Sequence, residues 1–203
     1  MVQIRIPFLV FFLLAFASCS ALLGIKKIQK LDAKQIAAYA VRYHIPTEQS
    51  YMLDTTAYGS FVNGIHDSHL KKDVQQPLQV KVFDGNGKML FWLVNCYIGG
   101  FPNLKWDRYG TFDVFPPVKG SFASVNTALT LGDNARFYFM ETKESMRVLP
   151  MFKVNAYDLY IIVHWAHFLD RQSKRLVRLI NNYQKRFSDK RIQVIYVNDD
   201  NWY

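Results

Sequence analysis

Apolar positions recur along the chain at two periods, and these divide it into elements. From Leu31 to His44, Ile36, Tyr39, Ala40 and Tyr43 fall on one helical face, Asp32 stands before them as an N-cap, and Pro46 ends the segment. Tyr51–Asp54 predicts a short strand and Thr55–Val62 a helical turn, while the polar stretch His66–Gln76 reads as loop. Leu78–Phe83 alternates apolar and polar residues, Asp84-Gly85-Asn86-Gly87 is turn chemistry, and Met89–Val94 is apolar at nearly every position. These features predict a hairpin introduced by Pro77, with its second strand buried on both faces. Phe122–Leu131 predicts a short helix and Arg136–Met140 a strand.

The strongest pattern lies near the C-terminus. Leu159–His164 is a β-rich run, Asp170–Phe187 is helical with Leu169, Leu176, Ile180, Tyr183 and Phe187 along one stripe, and Ile192–Asn198 is again β-rich. A strand, a helix and a strand of these lengths imply a parallel pair joined by a right-handed crossover. The fold class that follows is α/β, as a single domain over 31–203.

The first residues read differently. After Arg5, Ile6–Phe16 is an apolar run of signal-peptide length. Three outcomes stay open. Phe16-Ala17-Ser18-Cys19 places small residues before a cysteine, which would carry a lipid as residue 19 of a processed lipoprotein. Ala15-Phe16-Ala17 would suit an ordinary signal peptidase. Uncleaved, the uncharged run Ile6–Ile25 is about 20 residues, long enough to cross a bilayer. The first divides the chain into a signal peptide 1–18, a lipid-anchored linker 19–30 and the folded domain. All three put that domain outside the cytoplasm.

Composition narrows the chemistry. Over 203 residues, 50% are apolar and 20% charged, which suits a packed core and excludes a disordered chain. Two cysteines exclude a disulfide scaffold and any site of four thiolates. If Cys19 carries lipid, Cys96 is left as a single thiol. The net charge is +9, and the Asp170–Phe187 helix carries Arg171, Lys174, Arg175, Arg178, Lys185 and Arg186, a basic face that is either simply solvated or, on a tethered protein, meets anionic lipid or polysaccharide. Outside the cytoplasm, nucleic acid is not an expected partner.

The segment Trp165-Ala166-His167-Phe168-Leu169-Asp170-Arg171-Gln172, entered from a hydrophobic strand and followed by a helix and a strand ending in Val197-Asn198, resembles the active-site segment of thioredoxin-like envelope oxidoreductases. The Pro77 hairpin with Asp84-x-x-Gly87-Lys88 is similar to the segment that carries that family's cis-proline and last two strands, but here it precedes the Trp165 segment rather than following it. The resemblance implies a thioredoxin-like mixed sheet with flanking helices and a rearranged strand order. The whole chain looks like bacterial envelope lipoproteins with a thioredoxin-like core lacking C-x-x-C. Leu169 and Gln172 occupy the two cysteine positions, and neither can supply the attacking thiolate or the resolving thiol of disulfide exchange.

The candidate binding residues are accordingly Trp165, His167 and Phe168 at the helix start, Pro77 beside them as one shallow apolar patch, and Trp106 in the aromatic loop Gly99–Gly120. Cys96 is the candidate redox residue, with a buried structural role as the competing expectation because its strand is apolar. His66/His69 and His164/His167 are spaced by three, yet a metal needs a third ligand, and no metal or cofactor is expected. No phosphate-binding glycine loop, G-x-S-x-G or H-E-x-x-H occurs. The resulting expectation is a non-catalytic binding or interaction lipoprotein of the cell envelope. Its partners would be the membrane through the anchor and an envelope protein or polysaccharide. Ser20 after the cysteine is compatible with outer-membrane sorting. A single-thiol redox enzyme and a basic tether to anionic polymers are the alternatives.

Overall fold

The computed structural model describes residues 24–100, 104–118, 129–141, 146–148, 153 and 155–203. Seven strands form one mixed sheet in the order β3-β2-β6-β7-β1-β4-β5. They are β1 (Ser50–Leu53), β2 (Gln79–Asp84), β3 (Met89–Val94), β4 (Tyr138–Glu141), β5 (Met146–Val148), β6 (Leu159–Trp165) and β7 (Ile192–Asn198). Five helices flank it: α1 (Ala33–Arg42), α2 (Thr55–Asn63), α3 (Ser68–Val74), α4 (Leu131–Ala135) and α5 (Asp170–Arg186). The β6–α5–β7 unit is parallel, as its periodicity predicts, with Leu159 opposite Ile192 and Trp165 opposite Asn198. The strand order is rearranged: β1 lies parallel to the chain-terminal β7, and the β2–β3 hairpin pairs antiparallel to β6.

Each sheet face carries its own core. On the first, Ile36 and Ala40 of α1, Tyr43 at its C-cap, and Leu176, Val177 and Ile180 of α5 pack on Val80, Val163 and Val194, with Trp106 and Phe112 closing the side. On the second, Tyr58 and Val62 of α2, Val74 of α3 and Leu131 of α4 pack on Phe83, Trp92, Ile162 and Val197. Because both faces are covered, the alternation in β2 does not mark a solvent side. Gln79 and Lys81 are 0% and 1% exposed.

Two local expectations change. His66–Gln76 holds a helix rather than a loop. Asp67 caps it by accepting from the Leu70 amide, and its last residue is fastened where the Tyr58 hydroxyl donates to the Val74 carbonyl. Thr55–Asn63 is a full helix capped by Asp54, not one turn. The predicted helix Phe122–Leu131 falls almost entirely outside the described residues, and Leu131 instead begins α4. Residues 1–18 lie wholly outside them, as does Cys19. No helix among the described residues is long and apolar enough to cross a membrane.

Candidate functional site

The carboxyl ends of β6 and β7 gather most of the buried polar chemistry. In open α/β sheets this end is where ligands bind. Gln79 pairs with His164, so Pro77 lies at the same end of the sheet as Trp165 and His167. The peptide before Pro77 is not cis, unlike that of the family it resembles; Phe115–Pro116 is the cis bond among the described residues. Trp165 is 0%, His167 5% and Phe168 8% exposed, so the expected shallow apolar patch is not a surface. Side chains from α1 and its C-cap and from the C-terminal residues cover it. Tyr39 stacks on His167 with ring centroids 3.5 Å apart, Tyr43 meets Trp165 edge-on at 5.2 Å, and Tyr203 meets Phe168 at 5.3 Å.

Hydrogen bonds fix that cover. The Tyr43 hydroxyl donates to Asp170 Oδ1 and lies 3.2 Å from His167 Nδ1. Burial opposes the charge on Asp170, but the Tyr43 hydroxyl and the paired Lys174 and Lys26 together hold its carboxyl below the usual range. Asp200 accepts from the His167 and Phe168 amides at 2.6 and 3.2 Å and from Asn198 Nδ2 at 2.7 Å. Burial lowers the His167 pKa, and Lys26 adds to this. His167 is therefore a neutral ring locked between helices.

At the two positions where the resembled family has cysteines, Leu169 is 8% and Gln172 1% exposed. Both atoms of the Gln172 amide are buried without a hydrogen-bond partner. Such a group loses its hydration with nothing in exchange, at a cost of about 1–3 kcal/mol. Gln172→Met is expected to raise the unfolding free energy by about 1 kcal/mol in urea titration, and a loss of stability would show that the amide does have a partner.

On the opposite face lies a constellation that no single motif announces. His164 Nδ1 is 2.8 Å from Asp199 Oδ2, and its Nε2 is 3.0 Å from the Tyr138 hydroxyl. That hydroxyl donates to Asn134 Oδ1, which also accepts from Lys81 Nζ at 2.8 Å. Lys81 Nζ sits 4.7 Å from the Trp92 ring centroid. Lys81, Asn134, Tyr138, His164 and Asp199 are all 2% exposed or less. Burial pushes Asp199 well up, with Lys81 opposing, and pushes His164 well down. The His164–Asp199 contact is thus a hydrogen bond between neutral partners rather than an ion pair. With Asp199 donating to Nδ1, Nε2–H donates to Tyr138 and Tyr138 to Asn134, so every proton on the chain has an acceptor. Burial brings Lys81 down to about 7. An acid, an imidazole, a phenol and an amine of depressed pKa are reagents for proton transfer, but here they are sealed in a core without access to substrate.

The two histidines with i, i+3 spacing therefore part. His164 faces the second core through Tyr138, while His167 faces α1. His66 and His69 are both exposed, the latter on α3. Among the described residues, no three His, Cys, Asp or Glu side chains form a group that could hold a metal.

Cys96 follows β3 and is exposed rather than buried, because the chain turns out of the sheet at Asn95. Desolvation raises its pKa, and Lys72 only partly opposes that. Trp106 is 3% exposed and packs beside Arg175 and Leu179, a turn and more along α5 from the His167 end. The sequence reading missed Lys81, Asn134, Tyr138 and Asp199 as a set. The available signal was a lysine at an alternating position of a strand that turns out to be central. In comparisons with known proteins, no family model, curated protein or solved structure matches this chain.

Proposed function

We propose that this protein is a lipid-anchored component of the bacterial cell envelope, tethered through Cys19, whose thioredoxin-like core serves as a rigid binding platform rather than a catalyst. The observation that carries this reading is the sealed start of α5. Leu169 and Gln172 are buried where thiols would work, and Tyr39 and Tyr43 close over His167. A site for disulfide exchange needs an accessible thiolate. The partner class is an envelope protein or an anionic envelope polymer, and the membrane is engaged through the anchor.

The exposure of Cys96 favours a second reading, redox chemistry at one thiol. Its raised pKa counts against it, because the thiolate is the reactive form. One measurement addresses both. Intact mass of the protein from membranes is expected to show acyl addition on an N-terminal Cys19, with Cys96 unmodified after mild peroxide. An unacylated Ser18 N-terminus would overturn the lipoprotein reading, and a sulfenate on Cys96 would favour the enzyme.

A further inference from the structure

The chain enters the domain along a path that is fastened at both ends. Gly24, at φ 69°, lies so close to α5 that a Cβ there would be 2.5 Å from the Arg171 Cβ. The Lys26 amide donates to the Phe168 carbonyl at 2.7 Å, and the Lys26 ammonium pairs with Asp170 and lies 5.9 Å from the Tyr39 ring centroid. At the other end, the Leu31 amide donates to Asn201 Oδ1 and the Leu31 carbonyl accepts from Asn201 Nδ2, each at 2.8 Å. Residues 24–31 are therefore a strap across the start of α5 rather than a free linker. Five residue steps separate Gly24 from Cys19, a reach of at most about 17 Å at full extension. A lipid on Cys19 thus holds the start of α5, and α1 beside it, close to the bilayer surface.

The strap and α1 carry the side chains that such a surface takes. Positions 34, 37, 38 and 41 share the face of α1 turned away from the buried Ile36 and Ala40. An outward face ordinarily carries charged and polar residues. Here it is Lys34, Ala37, Ala38 and Val41, all exposed, with Val41 at 65%. The strap adds Ile28, 49% exposed, between the exposed Lys27 and Lys30. Lys27, Lys30 and Lys34 form no ion pair among the described residues. Asp32 is the one acid from 24 to 44, and it is engaged as the α1 cap by the Gln35 amide. A helix whose small apolar face is bordered by lysines lies in the plane of a membrane interface, and lysines beside an anchor are drawn to anionic headgroups.

We infer that the strap and the outer face of α1 rest on an anionic phospholipid surface, with Lys27, Lys30 and Lys34 among the headgroups and Ile28 and Val41 at the acyl boundary. The inference rests on the lipid-anchor reading and names the face by which the domain meets its membrane. It turns the start of α5 toward the lipid. The β2–β3 turn then points away, because Asp84 pairs with Leu159 at the opposite end of β6.

The test uses the mature acylated protein on vesicles of equal parts phosphatidylglycerol and phosphatidylcholine, and on vesicles of phosphatidylcholine alone. Spin labels are placed at Val41→Cys or, in the exposed β2–β3 turn, at Asn86→Cys, each with Cys96→Ser. On the mixed vesicles the label at 41 is expected to meet an aqueous nickel chelate several-fold less often than the label at 86. K27Q/K30Q/K34Q is expected to restore most of that contact, and R178Q/K185Q, which removes two exposed cations of α5, to leave the shielding in place. A label at 41 as open as that at 86 would overturn the assignment. Shielding as strong on phosphatidylcholine alone, or an equal loss in R178Q/K185Q, would also overturn it. Shielding in detergent without vesicles, growing with protein concentration, would give the face to a second copy and overturn it too. Protein that does not sediment with phosphatidylcholine vesicles has no anchor, and the envelope reading fails with it. An open label at 41 on protein that does sediment overturns the docked face alone.

Discussion

Asp199→Asn and Lys81→Met are expected to tilt the stability of this protein against pH in opposite directions. Unfolded, Asp199, His164 and Lys81 hold about two protons between pH 4 and 6.5 and about one from 6.5 to 10.4. Folded, Lys81 keeps its proton up to about pH 7, Asp199 is raised well above the usual range and His164 is neutral. The folded cluster therefore holds two protons below about 7, and Lys81 and Asp199 share one above it. The two counts nearly match, so the intact cluster adds little slope across the neutral range.

Asp199→Asn removes the acid that raises Lys81. Above pH 7 the folded variant then holds no proton where the unfolded chain holds one. Its stability rises with pH towards 10.4, by up to about 1.4 kcal/mol per unit. At pH 7 it is expected to lose about 1 kcal/mol, because the asparagine keeps a neutral donor toward His164 Nδ1. Lys81→Met removes the cation that lowers Asp199. Above pH 6.5 the folded state then holds the extra proton, and stability falls as pH rises. Near pH 5.5 this variant is expected to stay within about 1 kcal/mol of the parent, because a methionine of similar shape suits the apolar surroundings. Urea titrations at pH 5.5, 7 and 9 read both slopes. Slopes of the same sign in the two variants would mean that Lys81 and Asp199 are not coupled.

Asp200→Ala should destabilise the protein by about 3 kcal/mol or more. The carboxylate accepts from two backbone amides at the start of α5 and from the Asn198 side chain, and it is 2% exposed. Its removal leaves three buried donors unpaired, each costing about 1–3 kcal/mol. Asp200→Asn keeps an acceptor and should lose less. Hydrogen exchange should speed up at the His167 and Phe168 amides before anywhere on β6. If exchange there stays at the parent's rate, Asp200 does not lock the helix start, and the rigid-platform reading loses its support.

Cys96 shows how a strand pattern misleads at its end. The apolar run Met89–Val94 is buried although β3 lies at the end of the strand order, yet two residues later the chain has left the sheet and the thiol meets solvent. The helix at Ser68–Val74 shows the reverse. Its sequence is polar enough to read as loop, but the Asp67 cap and the Tyr58–Val74 hydrogen bond make it worth forming. Short helices take most of their stability from such tertiary contacts, which local periodicity does not record.

The β6–α5–β7 unit, the Pro77 hairpin and α1 were legible from sequence because each is specified within a short stretch. Turn residues, a capping aspartate and a stripe of apolar side chains are local signals. The mixed α/β class followed from those units, while a rearranged order was expected from the resemblance alone and is what the sheet has. Only the tertiary structure decided what covers each face. It buried Trp165, His167 and Phe168 beneath Tyr39, Tyr43 and Tyr203, and it sent His164 and His167 to different sides. It also joined Lys81, Asn134, Tyr138, His164 and Asp199, which four separate stretches of chain contribute. Periodicity states which side of a strand a residue takes. It does not state whether a helix from a distant part of the chain will close over that side, and that closure turned an alternating strand into a buried lysine.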